Sequence, residues 1–333
     1  MIPIILDVDT GYDDALALLL ALRSPALRVL GITCAAGNHG LSRVIDNTLK
    51  ILDVANAPRD LPVAAGVRQP LVEALRPPAV NIHGVDGMAD IGLPSPDRSP
   101  VVVHAIELLR ALLTDADTPV RLVALAPLTN LALFIRLYPD LAAAKVSGVT
   151  LMGGAYLAHG NTNPVAEFNI RQDPEASRIV LDSGLPITLY PLDPFRSLTF
   201  SLEESRALVA HPSPSLSVAG RILVSTCATM ARATAMIGDA GAVATVIAPD
   251  EARTVRLPLT VELMGEATRG MTVIDRRPAP QRGAANEWWT PSPTQVDVVT
   301  EVDVAAYQRL FVTTLADQST SASQEDPSVS QRS

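Results

Sequence analysis

Apolar runs alternate with amphipathic stretches along this chain, regularly enough to set an architecture. IPIIL (2–6) is a short run with no polar face, as in a strand covered on both sides. DDALALLLAL follows, with the length and Ala/Leu content of a buried helix and acids in its first turn, where the helix dipole favours them. The pairing recurs with LRVLGITCAAG (27–37) as strand and SRVIDNTLKILDVA (42–55) as helix. VVVHAIELLRALL (101–113), LTNLALFIRLY (128–138) and DPEASRIVLDSG (173–184) read as helices. Between and after them, VRLVALA (120–126), VSGVTLMGG (146–154) and LPITLYPLD (185–193) read as strands. Such repetition predicts an α/β fold: one open, mostly parallel sheet with helices on both faces. Residues 201–247 read as mainly helical, with short strands or hairpins near 257–263, 271–276 and 295–302 and a last helix near 303–315. With no internal repeat and no linker, residues 1–316 are expected to form one domain. The Ser-rich polar tail, 317–333, is expected to be disordered.

Composition narrows the function more than the fold. The chain is 48% hydrophobic and 18% charged, so it can bury a large core, built mainly from aliphatic residues because only 4% is aromatic. A formal charge of −9 and the lack of any Lys/Arg run argue against nucleic acid or an anionic membrane as partner. Cys34 and Cys227 lie far apart without metal-ligand spacing and read as buried thiols. Asp7 arrives too early for a signal peptide, and the longest apolar stretch, Ala15 to Leu22, is too short to cross a bilayer. A cytoplasmic location is the expectation.

One stretch conflicts with the rest. In ILDVDTGYDDA, four aspartates, Asp7, Asp9, Asp13 and Asp14, stand between two apolar runs. Two carboxylates ~5 Å apart cost roughly 3 kcal/mol at an effective dielectric of ~20. The cluster must therefore face water, hold protons or hold a cation. Helix capping accounts for Asp13 or Asp14 but gives Asp9 no role, whereas a hard cation with oxygen ligands accounts for the whole group. The position suits a site, since ligands of open α/β sheets bind beyond the carboxyl ends of the strands. DxD at a strand end also resembles the haloacid-dehalogenase-type phosphotransferases, which would make Asp7 a nucleophile with Mg²⁺. That pattern wants Thr or Val where this chain has Gly11, and it does not require the second aspartate pair.

DVDTGYDDA more closely resembles the DxDPGxDDA signature of the inosine-uridine preferring nucleoside hydrolases, with Thr10 in place of proline. The similarity continues in order through AAGN (35–38), HGVDG (83–87), APLTNLA (126–132), LMGGA (151–155), GNTNPVAEFNIRQDPEA (160–176) and RGMTVID (269–275). The resemblance implies a single α/β domain of the nucleoside hydrolase fold, with a Rossmann-like sheet. It also implies Ca²⁺-dependent hydrolysis of the N-glycosidic bond of ribonucleosides to free base and ribose, by a homodimer or homotetramer. By that similarity Asp9, Asp14, the Thr129 carbonyl and Asp239 would hold Ca²⁺. Asp13 would be the general base for the water attacking C1′, with Asp7 supporting the cluster from behind. Asn38, Asn161, Glu167 and Asn169, with the Met152 backbone nearby, would bind the sugar, and His83 would contact the base or leaving group. The chemistry is coherent, because a ribosyl transition state with oxocarbenium character is stabilised by an acidic, acceptor-rich pocket.

The pattern breaks at one point. Many relatives carry a histidine immediately before the last metal-binding aspartate, where it protonates or orients the departing base. This chain reads MIGDAGAVA (236–244), with Gly238 at that position. Tyr12, Tyr156, Trp288 and Trp289 are aromatic candidates for contact with the base, and His39 and His159 are weaker ones. A calcium-dependent ribose- or nucleoside-binding protein without turnover is the alternative this break leaves open.

Overall fold

The computed structural model describes residues 1–78, 80–278 and 294–316. The expected tail and the pair Trp288 and Trp289 lie outside that set.

Seven parallel strands form the body of a nine-stranded sheet: β1 (Ile2–Val8), β2 (Leu27–Cys34), β3 (Val63–Ala65), β4 (Val120–Ala124), β5 (Val146–Met152), β6 (Ile187–Tyr190) and β11 (Thr294–Val302). Strands β9 (Ala252–Val261) and β10 (Thr272–Ile274) add an antiparallel edge, giving the order β10-β9-β11-β6-β5-β4-β1-β2-β3. From β1 the chain builds outward to β3, then returns to lay β4 against the other side of β1. That reversal opens a crevice beyond the carboxyl ends of β1 and β4, the switch point where open sheets bind ligands.

Strand β1 illustrates why its sequence is nearly all apolar. Ile4, Leu6 and Val8 join one core cluster and Ile5 the other, because alternate side chains point to opposite faces and both faces are covered. One layer contains α1 (Tyr12–Arg23), α2 (Leu41–Val54), α11 (Pro214–Thr229), α12 (Ala240–Ile247) and α13 (Val304–Ala316). The other contains α4 (Ala105–Asp115), α5 (Thr129–Leu137), α6 (Pro139–Lys145) and α8 (Pro174–Leu181).

The departures from expectation are local. The fourth helix begins at Ala105, not 101: Val101 bridges to Ala64 while Val102 is fully exposed, and the His104 side chain accepts the Ile106 N–H to cap the helix. Strand β3 is only three residues long and carries no alternation to detect. The stretch expected to be mainly helical from 201 contains a short strand, β8 (Thr234–Met236), paired antiparallel with β7 (Thr199–Ser201). Both contribute side chains to the wall of the crevice.

Candidate active site

At the carboxyl end of β1 the chain turns through Thr10 and Gly11 into α1. The turn is tight against its neighbours: a Cβ at Gly11 would lie 2.4 Å from His83 Nδ1 and 2.8 Å from Asn38 Nδ2, so only glycine fits. Thr10, where the family signature has proline, is buried, and its hydroxyl shares a 2.6 Å hydrogen bond with that of Thr48. The Asp14 carboxylate folds back to accept the N–H groups of Asp9 and Gly11, at 3.2 and 3.0 Å, and the Asn38 amide at 3.2 Å. Asp9 accepts the Asn38 N–H on Oδ2 at 2.7 Å, while its Oδ1 is buried without a hydrogen-bond partner. Asp7, deeper still, accepts from Thr33 and Asn130 on one oxygen and leaves the other unpartnered.

Asp239 reaches the same place from the far end of the sequence. It stands at the N-terminus of α12 but its side chain makes no cap hydrogen bond. Carboxylate oxygens of Asp13, Asp14 and Asp239 lie within 4.8 Å of one another. Burial first, and then mutual repulsion, push Asp9 and Asp239 well above the usual carboxylate range, and raise Asp14 to about 7. Asp7 is likewise raised to about 7 by burial, partly opposed by its Asn130 and Thr33 hydrogen bonds. The N-termini of α1 and α12 both face this cluster and favour its charge, but two helix ends cannot offset several buried carboxylates.

Above the cluster opens a cleft of about 1090 Å³. Asp13, Asn38, His83, Met152, Asn161, Glu167, Asn169 and Asp239 all line it. Glu167 and Asn169 sit where α7 (Phe168–Gln172) begins. The Glu167 carboxylate accepts the N–H groups of Gly154, Asn169 and Ile170, and burial raises it to about 7. The Asn169 amide nitrogen donates to the carbonyls of Leu125 and Met152, at 2.7 and 3.2 Å, and among the described residues Oδ1 accepts no hydrogen bond.

His83 ends the short helix α3 (Val80–His83) and is buried. Its ring packs on Tyr12, with centroids 5.1 Å apart, and Nδ1 lies 3.8 Å from Asp13 Oδ1. Nδ1 accepts the Tyr12 N–H at 3.4 Å, so the neutral ring carries its proton on Nε2. Burial lowers the His83 pKa, with the Asp13 charge opposing.

Thr129 does not line the cleft. Its hydroxyl donates to Asp173 at 2.6 Å, and the residue of that segment on the cleft wall is Leu125, just past β4. The PLTN motif has another job: the Asn130 amide donates to Asp7 at 2.8 Å and to the Cys34 carbonyl. Among the other candidates, Tyr12 and His159 line the cleft. His39 is buried at Gly87 and Tyr156 faces Arg276, and neither lines the cleft.

Gly238 has φ +48, and a Cβ there would lie 2.8 Å from the Phe195 ring and 2.9 Å from the Asp13 Cβ. The space a side chain would take is filled by Phe195, from helix α9 (Leu192–Ser197). Sequence reading missed Leu125, Phe195, Arg196 and Arg232 as cleft residues. It also missed Asp173, which ties Leu71, Thr129 and Ala176 together, and Asp193, which accepts three successive N–H groups from Tyr156 to Ala158. Asp173 lies within the 160–176 motif without being singled out there, and the others lie outside the quoted motifs.

Comparison with known proteins places this geometry. The model of the inosine-uridine preferring nucleoside hydrolase family matches residues 4–309. A pyrimidine-specific ribonucleoside hydrolase RihA from Shewanella sp. (strain MR-7) is 36% identical over 319 residues, covering 94% of this chain and 96% of that protein. Among solved structures, an inosine-guanosine nucleoside hydrolase superposes with a TM-score of 0.85 at 30% identity, covering 95% of this chain and 99% of its own. A purine-preferring ribonucleoside hydrolase from Gardnerella vaginalis gives 0.82 at 27% identity, covering 94% and 98%. The chain belongs to the inosine-uridine preferring nucleoside hydrolase family, and so to the hydrolases that act on N-glycosyl bonds.

Proposed function

We propose that this protein hydrolyses ribonucleosides to free base and ribose with a calcium ion gathered by Asp9, Asp14, Asp239 and a main-chain carbonyl. The observation that carries the reading is the convergence of the Asp13, Asp14 and Asp239 carboxylates within 4.8 Å, with Asp13 and Asp239 on the cleft wall and Asp9, close enough to repel Asp239, keeping Oδ1 buried and unpartnered behind them. The donor set is all oxygen, which suits a hard cation, and the number of available oxygens suits Ca²⁺ better than Mg²⁺. The carbonyl proposed is that of Leu125 instead of Thr129, because Leu125 lines the cleft. When bound, the ion would supply positive charge that keeps the acids ionised, polarises a water and engages the sugar diol.

Asp13 is the proposed general base. It is the least buried of the clustered acids and lies on the cleft wall, where it can take a proton and return it to solvent. Asn38, Asn161, Glu167 and Oδ1 of Asn169 are the proposed sugar contacts, with acceptor oxygens facing the charge that develops on the ribosyl ring. His83, neutral and carrying its proton on Nε2, is a proposed hydrogen-bond donor to the departing base, keeping that proton.

The test is a reducing-sugar assay over purine and pyrimidine ribonucleosides, before and after chelation, with calcium measured on the purified protein. Release of ribose that chelation abolishes and calcium restores is the expected result. Nucleoside binding with no ribose released would favour the non-catalytic alternative.

A further inference from the structure

The cleft has a second electrostatic character, away from its acidic floor. Three arginines line it, Arg76, Arg196 and Arg232. Arg76 stands 3.7 Å from Glu73, and Arg196 donates to the Gly160 carbonyl at 3.0 Å, so both are engaged in holding the wall together. Among the described residues, no hydrogen bond or ion pair engages the Arg232 guanidinium. Its backbone is held in place: the Arg232 N–H caps α11 through the Cys227 carbonyl, and the preceding Ala231 has φ +49. A non-glycine residue in that region is strained. This strained turn carries the chain out of α11 toward β8, with Met230, Arg232, Thr234 and Met236 all on the cleft wall.

Tyr12, with its ring tilted against that of His83, lines the same cleft, and Phe195 fills the place beside Gly238. Arg232 lines the same cleft as Tyr12 and His83, and its charge opposes the rise that burial gives the Tyr12 hydroxyl. His83 is neutral by burial and Gly238 offers no side chain, so this end has no other unengaged cation among the described residues.

Resting on the hydrolase reading above, we propose that Arg232 contacts the departing nucleobase and stabilises it as an anion through charge-assisted hydrogen bonds to its nitrogen and carbonyl acceptors. In the step, the C1′–N bond breaks with its electron pair going to the base nitrogen. A water oxygen bonds to C1′, and the water proton passes to Asp13. Arg232 gives up no proton, because a guanidinium stays protonated at any working pH. The base takes its proton from solvent, and Asp13 returns one to it. Leaving-group activation in this enzyme is then electrostatic where many relatives use a histidine acid.

The test compares Arg232→Ala with wild type on uridine, inosine and 4-nitrophenyl β-D-riboside, whose leaving group is already a stable anion. Removing a donor of this kind costs on the order of 10²–10³ in kcat. The expected result is a loss of that size in kcat on the nucleosides, little loss on the nitrophenyl riboside, and partial recovery on adding guanidinium chloride at millimolar concentration. Arg232→Lys should retain part of the activity, and an unchanged melting temperature shows that the variant is folded. Equal losses on all three substrates, or no loss on the nucleosides, would overturn the assignment. Wild-type protein that releases ribose from none of them overturns the hydrolase reading, and this assignment with it.

Discussion

Phe195 and Gly238 occupy one place between them: the Phe195 ring lies 2.8 Å from where a Gly238 Cβ would be. The relationship is directional, since any larger residue at 238 must both adopt a left-handed backbone and displace the ring. Gly238→His is therefore expected to destabilise the fold by about 2–5 kcal/mol, the sum of a left-handed penalty and overpacking. Activity should fall and not rise, because the imidazole has no space. Urea denaturation measures the first effect, and Phe195→Ala in the same chain should relieve part of it.

Asp13→Asn keeps the shape of the side chain and removes the proposed base. Turnover is expected to drop by roughly 10²–10⁴ while calcium stays on the purified protein. Unchanged turnover would end the assignment of Asp13 as base.

Asp9→Asn should separate stability from function. The Asn38 N–H can still be accepted at 2.7 Å, but one charge leaves a buried, mutually repelling group. Without calcium the variant is expected to be more stable than wild type at pH 8 by roughly 1–3 kcal/mol. Its calcium affinity should be weaker by on the order of 100-fold, as ligand charge sets affinity. Calorimetric titration and melting curves with chelator read the two effects separately.

How stability depends on pH follows from the same acids. Burial raises Asp7, Asp14 and Glu167 each to about 7, above the unfolded values of ~4. Between those limits the native state holds more protons than the unfolded state, so these groups make the metal-free protein less stable as pH rises from ~4 to ~7. Calcium favours the ionised forms, and the gain in melting temperature on saturating with calcium should grow from pH 5 to pH 8. A gain that is flat with pH would mean the acids are not linked to the ion.

The layout of the site was legible where chemistry and chain position coincide. Asp9, Asp13 and Asp14 follow a strand and open a helix, so a local reading found them, and order along the chain brought in Glu167, Asn169 and Asp239. Thr129 was chosen from a conspicuous motif, whereas the residue of that segment on the cleft wall is the apolar Leu125, whose carbonyl accepts the Asn169 amide. Side-chain patterns carry no signal for such a carbonyl. Phe195 was invisible for a different reason: its role is defined by a gap at Gly238, more than forty residues later. The short strands β3, β7 and β8 have three residues each, too few for a period of two to be counted.

Asp14 and Asp239 stand more than two hundred residues apart, yet their carboxylates share one site. A polypeptide emerging from the ribosome makes the first acids long before the last. Through most of synthesis the early aspartates have no distant partner with which to capture an ion, and they stay protonated or hydrated. Assembly of the centre is thus a late, long-range event, of the kind that slows folding. Any chain cut short of Asp239 keeps the N-terminal signature and lacks the closing carboxylate, so on the proposed metal reading an ion would be held only once translation has run far enough.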